Sequence, residues 1–265
     1  MEEVLQQKYG NELENKKEII LDGDSAHFNV IEGLENLIQL EGLRLSLCGI
    51  SVIRGLNTLT NLRILTLAEN GITEITGLNN LINLERLDLS DNQITEIKGL
   101  NNLVKLKKLN LSDNQITEMG GFDNLVKLEI LDLSYNINLT KIKGLDNLIN
   151  LRKLNISVCQ IQELNGLSKL KNLAVILNDD VGIKNINYLS IPDSICYITN
   201  GGFKIDYSDR FLRIKKLCLK VRREIVKIIF TKKCKKLLDE IHKYKPDSDY
   251  INSIVKPRFE EMKKE

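Results

Sequence analysis

The sequence contains no Trp and only 3 Pro, and aromatic residues make up 5% of its 265 positions. Too few planar rings are present for a base-stacking platform, so any RNA contact would run through shape and charge. With 16 Gly and no low-complexity tract, collagenous and mostly disordered classes are excluded as well. The 5 cysteines (Cys48, Cys159, Cys196, Cys218, Cys234) are odd in number, scattered, and never in a C-x-x-C pair. Neither a disulfide framework nor a zinc module is expected, and the thiols are expected to stay reduced. No apolar run is long enough to span a bilayer, and the opening MEEVLQQKYG is acidic and lacks the apolar core of a signal peptide. No membrane association and a cytoplasmic or nuclear location are expected.

The parts of most catalytic sites are missing too. His27 and His242 lie far apart, no G-x-S-x-G, P-loop or G-x-G-x-x-G occurs, and the D-x-[DN]-x-[DN]-G calcium spacing is absent. The expectation is a non-enzyme with no catalytic residue, no cofactor, no metal and no small-molecule substrate. Asn138 and Asn155 match N-x-[ST] but, without an export signal, are read as incidental.

What the sequence does hold is repetition. Residues 62–83 (LRILTLAENGITEITGLNNLIN), 84–105 (LERLDLSDNQITEIKGLNNLVK) and 106–127 (LKKLNLSDNQITEMGGFDNLVK) repeat at a period of 22. Units 40–61, 128–150 and 151–172 keep the frame, with one extra residue near Ile137. Degraded copies start near Glu18, Leu173 and Ile195, as capping repeats do. Leu84, Leu87 and Leu89 alternate with Asp88 and Ser90, which predicts a half-buried strand too short to bury its face unless neighbours stack. Ile94 and Ile97 belong to the same narrow core; Gly99 and Leu100 start the return, where Asn101, Asn102 and Leu103 suit a tight helical turn. The ninth position reads Cys48, Asn70, Asn92, Asn114, Asn136, Cys159 and is taken as structural. A buried amide there can satisfy backbone groups that would each cost about 1 to 3 kcal/mol if left unpaired.

This pattern, L-x-x-L-x-L-x-x-N-x-I-x-x-I-x-G-L-x-x-L-x-x, resembles the short 22-residue subclass of the leucine-rich repeat over roughly residues 18–203. The resemblance implies an α/β leucine-rich repeat solenoid with a parallel β-sheet on its concave face. By repeat type the chain resembles the leucine-rich-repeat regulatory subunit of protein phosphatase-1, the dynein-associated leucine-rich light chain and a leucine-rich spliceosomal subunit. These imply a protein-interaction scaffold, of phosphatase-regulatory type where Asp88 and Asp132 match the acids of that family's concave face. The absence of Trp and a basic ending depart from that family. Bacterial internalins share the repeat but are exported.

Side chains leaving the concave sheet are the expected protein-binding surface: Glu69, Arg86, Asp88, Asp91, Lys108, Asp113, Ile130, Asp132 and Tyr135. The competing expectation is that the acids pair with Arg86 and Lys108 and only keep the face soluble. Residues 1–203 hold 19 Lys+Arg against 26 Asp+Glu, a balance of −7, while residues 204–265 hold 19 against 10, a balance of +9. Three regions follow: a cap with a degraded first repeat (1–39), the solenoid (40–203) and a basic helical tail (204–265). In the tail, Phe211, Ile214, Cys218, Val221, Ile225 and Ile228 recur at helical spacing. Among them lie Lys215, Lys216, Lys220, Arg222, Arg223, Lys227, Lys232, Lys233, Lys235 and Lys236, a density suited to RNA phosphates or a ribonucleoprotein partner. The plainer expectation is that the tail caps the solenoid.

Overall fold

The computed structural model describes residues 1–22, 27–177, 197–200 and 203–206. A short helix, α1 (Glu2–Tyr9), and a 3-10 turn (Gly10–Asn15) lead into β1 (Glu18–Asp22). Then come β2 (Gly42–Ser46), β3 (Ile64–Thr66), β4 (Arg86–Asp88), β5 (Lys108–Asn110), β6 (Ile130–Asp132), β7 (Lys153–Asn155) and β8 (Val175–Leu177). The last two are β9 (Tyr197–Asn200) and β10 (Phe203–Asp206). Among the described residues these form one 10-stranded sheet in strict sequence order. Every pairing from β1 to β9 is parallel and in repeat register, so that Leu65, Leu87, Leu109, Leu131 and Leu154 stand one behind another.

The repeat forms this coil because no single turn can bury its own apolar side. In the 84–105 unit Leu84, Leu87, Leu89, Ile94, Ile97, Leu100 and Leu103 are all buried, and each stacks on its counterparts 22 residues away. The return segments are consecutive three-residue turns, with Leu103 N–H donating to Leu100 O (3.0 Å) and Leu106 N–H to Leu103 O (2.9 Å). Among the described residues no helix occupies them, because 22 residues are used up by a strand, two corners and a return. Asparagines fasten the returns to one another: Asn102 Nδ2 donates to Asn79 O and Asn124 Nδ2 to Asn101 O, at 3.0 and 3.1 Å.

The ninth-position amides do what was expected of them. Asn92 Nδ2 donates to the carbonyls of Leu67, Leu89 and Ser90, and its Oδ1 accepts the Ile72 N–H at 3.0 Å. Asn114 and Asn136 repeat the pattern, with Ile94 and Ile116 as donors. Where a thiol stands instead, the preceding coil adjusts. Cys159 Sγ donates to Leu133 O at 3.1 Å but offers no amide oxygen, and Leu139 N–H turns to Asn136 O within its own coil at 3.0 Å. That coil is the one carrying the extra residue. At Cys48 the same vacancy is met by backbone, with Phe28 N–H donating to Cys48 O at 2.6 Å. Burial pushes the Cys159 thiol up to about 11, which keeps it protonated and a poor nucleophile.

The first strand does not present a bare edge. Tyr9 Oη accepts from Ile20 N and donates to Ile20 O, Lys8 Nζ also reaches Ile20 O at 2.8 Å, and Leu5 and Leu13 are buried beneath. At the other end one expectation is corrected. Lys204, Ile205 and Asp206, assigned above to a helical tail, lie in β10, which pairs antiparallel with β9. Phe203 and Ile205 alternate with Lys204 and Asp206 after Gly201-Gly202, a two-residue composition that favours a hairpin. The ten tail cations from Lys215 to Lys236 lie outside the described residues.

Candidate partner-binding surface

In each three-residue strand the middle side chain enters the core and the flanking two leave it, which places Arg86, Asp88, Lys108, Ile130 and Asp132 on the concave face. The two acids are only partly available there. Asp88 Oδ1 accepts the Ser90 N–H (3.1 Å) and hydroxyl (2.7 Å), and Asp132 does the same for Ser134 at 3.0 and 2.6 Å. Asp132 Oδ2 further accepts from Asn155 Nδ2 at 2.8 Å. These carboxylates brace the chain as it leaves the strand. Arg86 and Lys108 are exposed and make no ion pair among the described residues, so the acids are not neutralised by them.

Glu69, Asp91, Asp113 and Tyr135 are placed differently from expectation. They lie three residues past the strands, on the rim where the strands end. Leu47, Glu69, Asp91, Asp113, Tyr135 and Val158 all adopt left-handed backbone, with φ between 52° and 59°. Each of the first five, bar none, donates its N–H to the next coil: Glu69 to Ser90 O, Asp91 to Ser112 O, Asp113 to Ser134 O, Tyr135 to Ser157 O, at 2.8 to 3.0 Å, and Leu47 to Ala68 O at 3.2 Å. This bond fixes the corner whatever the side chain is. Asp tolerates such backbone, whereas a β-branched Val at φ 58 is an outlier costing on the order of 1 to 3 kcal/mol. Alternation read as a pure period of two fails here because the strand has already ended.

The opposite edge, where the strands begin, holds charges that the motif search passed over. The second position of successive coils reads Lys17, Glu41, Arg63, Glu85, Lys107, Glu129, Arg152, alternating in sign at every step. Lys17 bonds Glu41 at 2.8 Å, and Glu85 is clasped by Arg63 and Lys107, each at 2.6 Å. The hydrogen bond from Lys107, then that from Arg63, hold the Glu85 carboxyl down to about 2. The signal was available as opposite charges 22 residues apart. A shallow groove of about 450 Å³ lies over this edge, lined by Glu41, Asn61, Arg63, Asn83, Glu85 and Lys105. Its charges are largely engaged with one another. Among the described residues, no three His, Cys, Asp or Glu side chains are grouped to hold a metal ion, and no helix is long and apolar enough to cross a membrane.

Comparison with known proteins agrees with this geometry. Residues 82–123 and 104–147 match the family model described as Leucine Rich repeats (2 copies). No curated protein matches the chain. Among crystal structures it is similar to internalin C2 from Listeria monocytogenes, at 24% identity and a TM-score of 0.62, covering 74% of this chain and 90% of that one. The Listeria internalin InlF aligns at 21% identity and 0.50, covering 75% and 73%. The functional domain of Listeria InlJ, which includes a cysteine ladder, aligns at 21% and 0.54, covering 80% of this chain and 48% of that one. Residues 82–147 thus match leucine-rich repeats, and the stacked parallel sheet around them is a solenoid fold similar to that of internalin C2.

Proposed function

We propose that this chain is a scaffold that binds a folded protein through the concave face of its sheet. Leucine-rich repeat proteins, internalins included, act in protein–protein interaction. The observation that carries the reading is the outward row Arg86, Lys108 and Ile130: two exposed cations without ion-pair partners among the described residues, followed by a partly exposed aliphatic chain, none of them used by the fold. A partner seated there would bring carboxylates to Arg86 and Lys108 and an apolar contact to Ile130, while its flank met the acids of the strand-end rim. A phosphatase-regulatory role is the finer form of this proposal and rests on the resemblance alone.

Arg86→Glu with Lys108→Glu is the informative variant, because it reverses charge without touching a hydrogen bond of the scaffold. Reversing Asp88 or Asp132 would also undo the corner at Ser90 or Ser134. Proteins captured from nuclease-treated lysate by the wild type should be lost, by about tenfold or more, from the double variant. Retention of every captured protein would reject the concave face, and their disappearance on nuclease treatment would favour RNA instead. A phosphatase catalytic subunit among them would support the finer role.

A further inference from the structure

We infer that the strand-end rim is a docking surface for this chain's own lysine-rich segment, Lys215 to Lys236. Glu69, Asp91 and Asp113 stand there in consecutive coils, all exposed, and no cation pairs with any of them among the described residues. Directly after them come Tyr135 and Ile137, 53% and 57% exposed, the second pushed out by the extra residue of its coil. A row of carboxylates ending in an apolar pair suits a segment that carries many cations and an apolar stripe. Residues 204–265, at +9 against −7 for the rest, are such a segment, with Val221, Ile225 and Ile228 set among Lys220, Arg222, Arg223 and Lys227.

Reach and the pairing of charges on the opposite edge favour the same placement. Because β10 runs antiparallel to β9, the chain leaves Asp206 on the edge where the parallel strands begin. That edge alternates in sign, and its acids Glu41 and Glu85 are already engaged by Lys17, Arg63 and Lys107, which leaves them less to offer a basic segment. The stretch from Asp206 to Lys215 extends to about 30 Å, more than the width of the sheet, and rungs about 4.8 Å apart put Asp113 roughly 24 Å along the solenoid from β10. The segment can therefore cross the concave face and lie along the acidic rim, where it would compete with a partner seated on that face. The inference goes beyond the binding reading and does not depend on it.

Zero-length carbodiimide cross-linking of the full chain, after nuclease treatment, tests it by peptide mapping of the monomer band. Links from the lysines between Lys215 and Lys236 to Glu69, Asp91 and Asp113 are expected at low ionic strength. They should fall by about fivefold at 0.5 M salt, where the Debye length is only about 4 Å. Glu69→Gln/Asp91→Asn/Asp113→Asn should lose protection of Tyr135 from iodination while its circular dichroism stays that of the wild type. Links to Asp146 and Glu163, in coils nearer β10, in place of the rim acids, links only between molecules, or no links from these lysines would each overturn the inference. The wild-type map decides even if the triple variant misfolds.

Discussion

At the scale of single residues, the repeat is enforced by backbone proximity as much as by hydrophobicity. Gly99 sits at φ +77, and a Cβ there would stand 2.2 Å from the Ile75 carbonyl of the previous coil. Gly120 has no atom within 4 Å of its would-be Cβ. Gly99→Ala should therefore cost about 3 kcal/mol or more, combining left-handed strain with a clash against unyielding backbone, while Gly120→Ala should stay within about 0.5 kcal/mol. Urea titrations followed by circular dichroism compare the two, and equal midpoints would refute this account of the glycine. The same scale explains why four ninth-position residues are Asn: one amide serves three carbonyls and a neighbour's N–H at once.

At the scale of the element, the alternating column on the strand-start edge links coils that the core already stacks. Exposed pairs are worth little, about 0.5 to 1 kcal/mol each, but Glu85 accepts from both Arg63 and Lys107. Its folded-state value of about 2 lies below the ordinary 4.5, so the folded protein holds the charged form more tightly than the unfolded chain does. The stability this adds is present above pH 4.5 and is lost as pH falls toward 2. Glu85→Gln should accordingly lower the urea midpoint at pH 7 by an amount equivalent to about 1 kcal/mol, and the two proteins should converge near pH 2. A difference that persisted in acid would mean the carboxylate acts through packing.

At the scale of the whole molecule, stability is a sum over neighbouring rungs, with no single core to melt at once. Leu109 lies buried between Leu87 and Leu131 in mid-array, whereas Leu5 is buried in the cap. Leu109→Ala should cost about 2 to 5 kcal/mol and also lower the urea m-value, because the two halves are uncoupled. Leu5→Ala should lower the midpoint with less change in slope. An unchanged slope for Leu109→Ala would show that the array unfolds as one cooperative unit. Charge is also distributed at this scale: Glu69, Asp91 and Asp113 stand exposed along the strand-end rim, while the strand-start edge alternates in sign and pairs within itself.

The period of 22, the strand position, the buried leucines and the structural asparagines were all legible in the sequence, because each coil repeats one set of local constraints and identical side chains must stack. The charge column was equally legible, at a separation of one full turn. What tertiary structure decided is where alternation stops. Strands of three residues carry Arg86, Asp88, Lys108, Ile130 and Asp132 on the face, but the corner bond to the next coil moves Glu69, Asp91, Asp113 and Tyr135 to a separate rim. It also decided that Asp88 and Asp132 brace their own turns, and that β10 reverses direction. A hydrogen bond between coils depends on which backbone groups face each other across the stack, and no pattern within one unit encodes that.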